Sequence, residues 1–395
     1  MPLFVPAQSP LDFPIADRNA AARAGRRIAA VAALTLLSSA AGPASAPGLA
    51  LVQDTTRVRA AYDRGKALFD DYERGHGHVA VVNGIRMHYL AWGAPSGVPL
   101  VWAHGSAGSG YEIRHLAPRL VAAGYRVIAP DYRGHGQTKV TDYEFGLDDI
   151  ADDFVALLDK LGIRRAVFGG SSKGGFVAAA VYHLYPDRVS GLLMHDGGTW
   201  SNQWAFDHDS GYAASQRKMM ASPDAGPPRV TGESQYAVFR GLVGDAIASG
   251  HDVTPERAVD LLCCISPMTE GGWAFIDGFE KLMGTPANYI IGMTAPSRLP
   301  MLQWSQHALI PMEVFRRLRV PMMIIDPVKL PDDDPPVSDQ NARLAAKFPN
   351  LVIHKIYPET GHAAFQERPD WFIRDATELL ARVRRGRGRG TGIRN

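Results

Sequence analysis

One stretch of this sequence constrains the fold more than any other. Ala166-Val167-Phe168 runs into Gly169-Gly170-Ser171-Ser172-Lys173-Gly174-Gly175-Phe176, and an alanine-rich segment follows. An apolar run, a turn and a helix-forming stretch meet at Ser172, with Gly170 and Gly174 two residues away on either side. A chain that turns so sharply from strand to helix leaves no space for side chains at the flanking positions. The turn lifts the central hydroxyl above the sheet and sets it at a helix N-terminus. Ser171 fails as the centre of the pattern because Lys173 would occupy its fifth position, and a Ser-x-x-Lys reading fails because Gly170 lies three before Lys173.

The surroundings fit such a turn. Short apolar runs recur at Leu100–Ala103, Arg126–Ala129, Ala166–Phe168, Gly191–Met194, Met322–Ile325 and Val352–Ile356. Helical periodicity lies between them, as in 147–158, where apolar residues recur three and four apart with acids opposite. This alternation predicts an α/β fold: a mainly parallel sheet covered by helices on both faces. Before it, residues 55–75 read as a helix. His78–Val82 and Ile85–Leu90 flank Asn83-Gly84, a hairpin signal. The rhythm breaks between Asp196 and Val320, where Trp and Met accumulate. This insertion reads as a helical cap over the sheet, with boundaries at 198–317 between core segments 51–197 and 318–385.

Charge and cysteine content remove other classes. The net charge is +2, but the six Arg of the last 14 residues and the +2 of residues 1–50 leave residues 51–381 at −6. A basic nucleic-acid-binding body is thereby disfavoured. Two cysteines, adjacent at 263 and 264, exclude a disulfide scaffold and a cysteine-rich zinc site, and read as small buried hydrophobes. Residues 1–50 order a basic cluster (Arg23, Arg26, Arg27), an apolar run from Ile28 to Leu37, and small residues through Ala46. That is the order of an export signal, which predicts a periplasmic or secreted protein. The run is too short to span a bilayer, so no stable membrane insertion is expected. Residues 386–395 read as a disordered Arg-Gly tail.

A serine hydroxyl needs a base to act as a nucleophile. Among thirteen histidines, His104, His135, His195 and His362 lie at or after strand-like runs. His362 alone combines a preceding Gly with the chain order serine, acid, histidine. The acid that orients it should follow the strand Met322–Ile325. That loop holds Asp326, Asp332, Asp333 and Asp334, of which Asp334 is favoured. Asp332, Asp333, Asp326 and Asp196 remain alternatives. Backbone donors for a developing oxyanion should come from Lys173 N–H and from the loop His104-Gly105-Ser106-Ala107-Gly108, through Ser106 N–H. That loop lacks the Gly spacing and following Lys-Ser/Thr of a phosphate cradle.

Four motifs in order, His104-Gly105…Gly108-Ser109, Asp131-Tyr132-Arg133-Gly134-His135-Gly136, Gly170-Ser171-Ser172-Lys173-Gly174-Gly175 and Gly361-His362, resemble the α/β-hydrolase fold superfamily. The resemblance spans residues 76–200 and 318–385 and implies an eight-stranded, mostly parallel sheet and a Ser–His–acid triad without metal or organic cofactor. It implies no catalytic role for the Asp-x-Arg-Gly-x-Gly turn. Enzymes of this fold that open halides or epoxides carry a carboxylate where Ser172 stands, so a carboxylic ester of an apolar or aromatic small molecule is the expected substrate. Lactone, amide and carbon–carbon bond cleavage, cofactor-free peroxidase chemistry and non-catalytic ligand binding are the alternatives. Lys173 departs from the family, which carries an apolar residue there. It is expected to face solvent or a cap acid, or else to favour substrates bearing a carboxylate.

Overall fold

The computed structural model describes residues 55–141, 145–201, 214, 230–268, 270–276, 311–328 and 336–389. The chain enters through helix α1 (Thr55–His76) and strands β1 (Gly77–Val82) and β2 (Ile85–Trp92). Asn83 and Gly84 both take positive φ, 45° and 80°, as the tight primed turn demands, and pair Val82 with Ile85 in an antiparallel ladder. The alternating series follows: β3 (Val98–Ala103), α2 (Ala117–Ala123), β4 (Tyr125–Pro130), α3 (Leu147–Lys160), β5 (Ala166–Ser171), α4 (Lys173–Leu184) and β6 (Val189–His195). After the insertion it resumes with β10 (Met322–Val328), α7 (Pro336–Lys347), β11 (Val352–Pro358) and α8 (Pro369–Arg389).

Eight strands form one sheet in the order β1-β2-β4-β3-β5-β6-β10-β11. β2 alone runs opposite to the other seven strands. The central strands are continuous apolar runs because helices cover both faces: every residue of β5 and β6 is buried. Helix α3 buries Leu147, Ile150, Phe154, Leu157 and Leu158 as its periodicity predicts. Its acids face outward except Asp153, which is fully buried and takes two bonds from the Arg133 guanidinium at 2.6 and 2.7 Å. That pair anchors the Asp-x-Arg-Gly turn to α3.

The described part of the insertion departs from a purely helical cap. Helices α5 (Gln235–Ala248) and α6 (Pro255–Leu262) accompany a small antiparallel sheet of β7 (Thr231–Gly232), β9 (Trp273–Phe275) and β8 (Ile265–Pro267). Helix α1 ties this unit to the main sheet. At one end Val58 and Ala61 share a buried cluster with Val238, Phe239 and Ala258. Gly65 lies so close to α6 that an added Cβ would fall 2.2 Å from the Ala258 Cβ. At the other end Glu73 accepts bonds from the Tyr111 hydroxyl, the Gln137 amide at 2.6 Å and His88 Nε2 at 3.2 Å. A helix outside the core of the family is thus a strap between insertion and sheet.

The chain's end also differs from expectation. Helix α8 buries Phe372, Ala376, Leu379, Leu380 and Val383 and continues through the Arg-Gly run to Arg389. Propagating a helix already anchored by such a face costs far less than starting one. The leader, residues 1–54, and residues 390–395 lie outside the described residues. Cys263 and Cys264 are buried free thiols, their sulfurs 3.4 Å apart.

Candidate active site

The turn between β5 and α4 has the geometry that its glycines require. Ser172 sits at φ 55°, ψ −121°, strained for a residue with a side chain. Such a conformation costs about 1–3 kcal/mol and persists only where the surroundings enforce it. Here they do. The Ser172 N–H donates to the His195 carbonyl at 3.0 Å. A Cβ on Gly170 would fall 2.3 Å from the Gly174 carbonyl carbon, and one on Gly174 would fall 1.9 Å from the Ala103 oxygen. Ser171, by contrast, ends the strand with its hydroxyl 3.3 Å from His195 Nδ1.

His362 lies on the loop after β11, braced by the Glu367 carboxylate, which accepts the Gly361 N–H at 3.0 Å. Its Nδ1 is hydrogen-bonded to the carboxylate of Asp196, the residue directly after β6. Asp196 holds a positive φ of 45°, and its N–H donates to the Ile325 carbonyl at 3.1 Å. Gly197 is packed against the Ser172 backbone, so closely that a Cβ there would lie 2.0 Å from the Ser172 oxygen. His362 and Asp196 are therefore paired, and Gly197, the residue after Asp196, packs against the Ser172 backbone at the ends of β5 and β6.

The position expected of Asp334 is thus held by Asp196. Asp332, Asp333 and Asp334 lie outside the described residues. Asp326 is buried and engaged elsewhere: it accepts from His354 Nε2 at 2.9 Å and from the Asn341 amide at 3.2 Å, tying β10 to β11 and α7. The other strand-end histidines are buried and differently engaged. His104 Nδ1 meets the Gly105 carbonyl at 2.7 Å, and His135 Nε2 the Ser106 carbonyl at 2.8 Å. Burial holds His104 and His195 near pKa 4, in the neutral form.

Electrostatics separate His362 from them. Burial disfavours its imidazolium, but the Asp196 charge and hydrogen bond outweigh this, and Glu112 adds to them, so His362 titrates above its ordinary value. Burial likewise opposes ionisation of Asp196, and the His362 charge reverses the balance, leaving the carboxyl below its usual range.

The loop after β3 passes beside Ser172: a Cβ on Gly105 would touch the Ser172 Cβ at 3.8 Å. Its Gly105–Ser106 peptide is pinned from one side. The Gly105 carbonyl accepts the Gly108 N–H at 3.1 Å, His104 Nδ1 at 2.7 Å and the Tyr132 hydroxyl at 3.0 Å. A trans peptide then directs the Ser106 N–H to the opposite edge. The preceding Gly105 N–H is occupied by Glu112 Oε2 at 2.8 Å. Lys173 is the first residue of α4, so its N–H has no acceptor within the helix.

Glu112 and Tyr132 escaped the sequence reading. Glu112 also accepts the Trp102 indole N–H at 2.9 Å, and burial pushes its carboxyl up to about 7 against those bonds and the His362 charge. The one sequence signal is an acid between apolar Tyr111 and Ile113, just after the Gly-rich loop.

The sheet order and the turn at Ser172 decide the fold. The fold is that of the alpha/beta hydrolases. A family model for the alpha/beta hydrolase fold matches residues 98–221. Bifunctional epoxide hydrolase 2 of Sus scrofa is 35% identical over 116 residues, 29% of this chain and 20% of that protein. The non-heme chloroperoxidase of Streptomyces lividans is 36% identical over 119 residues, 30% of this chain and 43% of its own length. The chain thus spans about a fifth to two fifths of these two relatives. Among solved structures, E-2-(acetamidomethylene)succinate hydrolase superposes with a TM-score of 0.53 at 19% identity, covering 77% of this chain and 98% of its own. An alpha/beta hydrolase from Novosphingobium aromaticivorans gives 0.50 at 21%, covering 78% and 98%. Both likenesses concern the fold.

Proposed function

We propose that this α/β-hydrolase is a carboxylic-ester hydrolase that works through an acyl-enzyme. The observation that carries the reading is the bonding of His362 Nδ1 to Asp196 at the rim where the strained turn presents Ser172. In this mechanism His362 removes the Ser172 proton as the oxygen attacks the ester carbonyl, and Asp196 stabilises the resulting imidazolium. The Ser106 and Lys173 N–H groups take the negative oxygen. His362 then returns the proton to the departing alcohol, and water, deprotonated by the same base, releases the acid. A hydroxyl rather than a carboxylate at the turn favours acyl transfer. The likeness to the epoxide hydrolase supports hydrolase chemistry in general, and the Trp- and Met-rich insertion supports an ester with an apolar or aromatic portion.

A fluorophosphonate probe tests the nucleophile. Labelling is expected in the native protein and lost in Ser172→Ala. Absence of labelling, or labelling that survives the substitution, refutes the assignment. We also propose that the chain is exported, on the strength of residues 1–50. Recovery of full-length chain from the cytoplasm alone would contradict this.

A further inference from the structure

Lys173 is a cation in an unusual position. It directly follows the proposed nucleophile, yet it is buried and, among the described residues, pairs with no acid, unlike two of the arrangements expected from the sequence. The residue is 3% exposed. Among the described residues its ammonium meets only the face of Tyr132, 5.4 Å from the ring centroid. The nearby acids are committed to other groups: Glu112 to the Gly105 N–H and the Trp102 indole, Asp131 to His88 and the Gly110 N–H. Shortage of acids is not the cause, since residues 51–381 carry net negative charge.

A ring face compensates a buried ammonium far less than an anion does. Burial accordingly lowers its pKa to about 8, with no charged neighbour among the described residues to offset the effect. The location indicates what is missing. The ring beneath the ammonium belongs to the tyrosine whose hydroxyl holds the Gly105 carbonyl, and Gly105 lies against Ser172. The ammonium thus stands beside the oxyanion loop, one four-carbon stem from the backbone N–H that would bind the scissile carbonyl oxygen.

We propose that the Lys173 ammonium receives a carboxylate carried by the substrate itself, so that the site selects hemiesters of short dicarboxylic acids. One residue would then hold both ends of the acyl group, its N–H on the scissile carbonyl and its ammonium on the far carboxylate. The inference rests on the hydrolase reading and names the substrate class for that site.

Two measurements test it. Calorimetric titration of Ser172→Ala with glutarate and with neutral glutaramide reads recognition without turnover. Glutarate is expected to bind about 10- to 100-fold more tightly, and Lys173→Met in the same background should erase the difference. Equal binding of the two ligands to Ser172→Ala overturns the proposal without recourse to a Lys173 variant. So does an advantage that survives Lys173→Met in protein with a native circular dichroism spectrum. The kinetic arm compares kcat/KM for the 4-nitrophenyl hemiester of glutaric acid with that for 4-nitrophenyl valerate. Their ratio should fall about 10- to 100-fold in Lys173→Met and be largely kept in Lys173→Arg. A ratio unchanged by Lys173→Met refutes the proposal. If neither ester is cleaved, the hydrolase reading fails, and the titration still decides the carboxylate site.

Discussion

Asp196→Asn is the sharpest perturbation of the proposed mechanism. The amide matches the carboxylate in shape but carries no charge, and it can present a donor to His362 Nδ1. Two effects combine. The imidazolium formed during attack loses a contact charge worth about 4 kcal/mol at the effective dielectric of a partly open site. By itself that is about 1000-fold in rate. The amide also favours the wrong imidazole tautomer, which extends the loss toward 10,000-fold. Asp196 touches histidine rather than substrate, so the loss should fall on kcat, with KM nearly unchanged. The pH profile supplies an independent reading. His362 must be neutral to act as base, and Asp196 holds its pKa above the ordinary value. Without that charge, burial outweighs the remaining pull of Glu112, and the acid limb of kcat/KM should move to lower pH. The assay is steady-state hydrolysis of a 4-nitrophenyl ester between pH 5 and 9, with Asp332→Ala, Asp333→Ala and Asp334→Ala as comparators expected within a few-fold of wild type. If Asp196→Asn keeps a tenth or more of kcat while one comparator loses orders of magnitude, the assignment is wrong.

Other consequences follow from the buried charges and from one close packing contact. Burial opposes the His88 imidazolium, but Asp131 and Glu73 more than compensate and raise its pKa to about 10. Stability from this group is complete below pH 6.5 and lost as pH rises toward 10, so Tm should drop over that range in wild type and much less in His88→Gln. Glu112, raised to about 7 where a paired carboxyl is usually lowered, also disfavours the folded state as pH rises. Folding is penalised progressively from pH 4.5 to 7, by about 3 kcal/mol at most, so Glu112→Gln should gain Tm at pH 8 relative to wild type and not at pH 4.5. Gly65→Ala would place a methyl group inside the α1–α6 contact and should cost about 1–3 kcal/mol in urea unfolding, with labelling of Ser172 retained wherever the protein is folded.

Where the sequence could be read, the determining forces were local. Asn83-Gly84 announces its hairpin because few other residues accept two positive φ angles in succession. The runs that became β3 to β6 and β10 announce themselves because a strand buried on both faces must be apolar throughout. Helix α1 was legible as a helix but not as a strap, since nothing within residues 55–76 indicates that Gly65 will meet Ala258 or that Glu73 will meet His88, Tyr111 and Gln137. The continuation of α8 to Arg389 was hidden by composition, because glycine and arginine density says little about a helix nucleated upstream.

The same division runs through the candidate site. The sequence alone determined the strand–turn–helix at Ser172 and singled out His362, because backbone sterics at Gly170 and Gly174, and chain order, are properties of the string. It left five carboxylates open as the partner of His362 and two fates for Lys173. Only the tertiary structure brought Asp196 to His362, across 166 positions of sequence, and set the Lys173 ammonium over Tyr132 with no acid partner among the described residues. The physical reason is that a parallel sheet gathers the ends of β5, β6, β10 and β11 along one edge. Several acids then satisfy the same chain order, and the choice among them falls to strand register and loop packing, which depend on every strand at once.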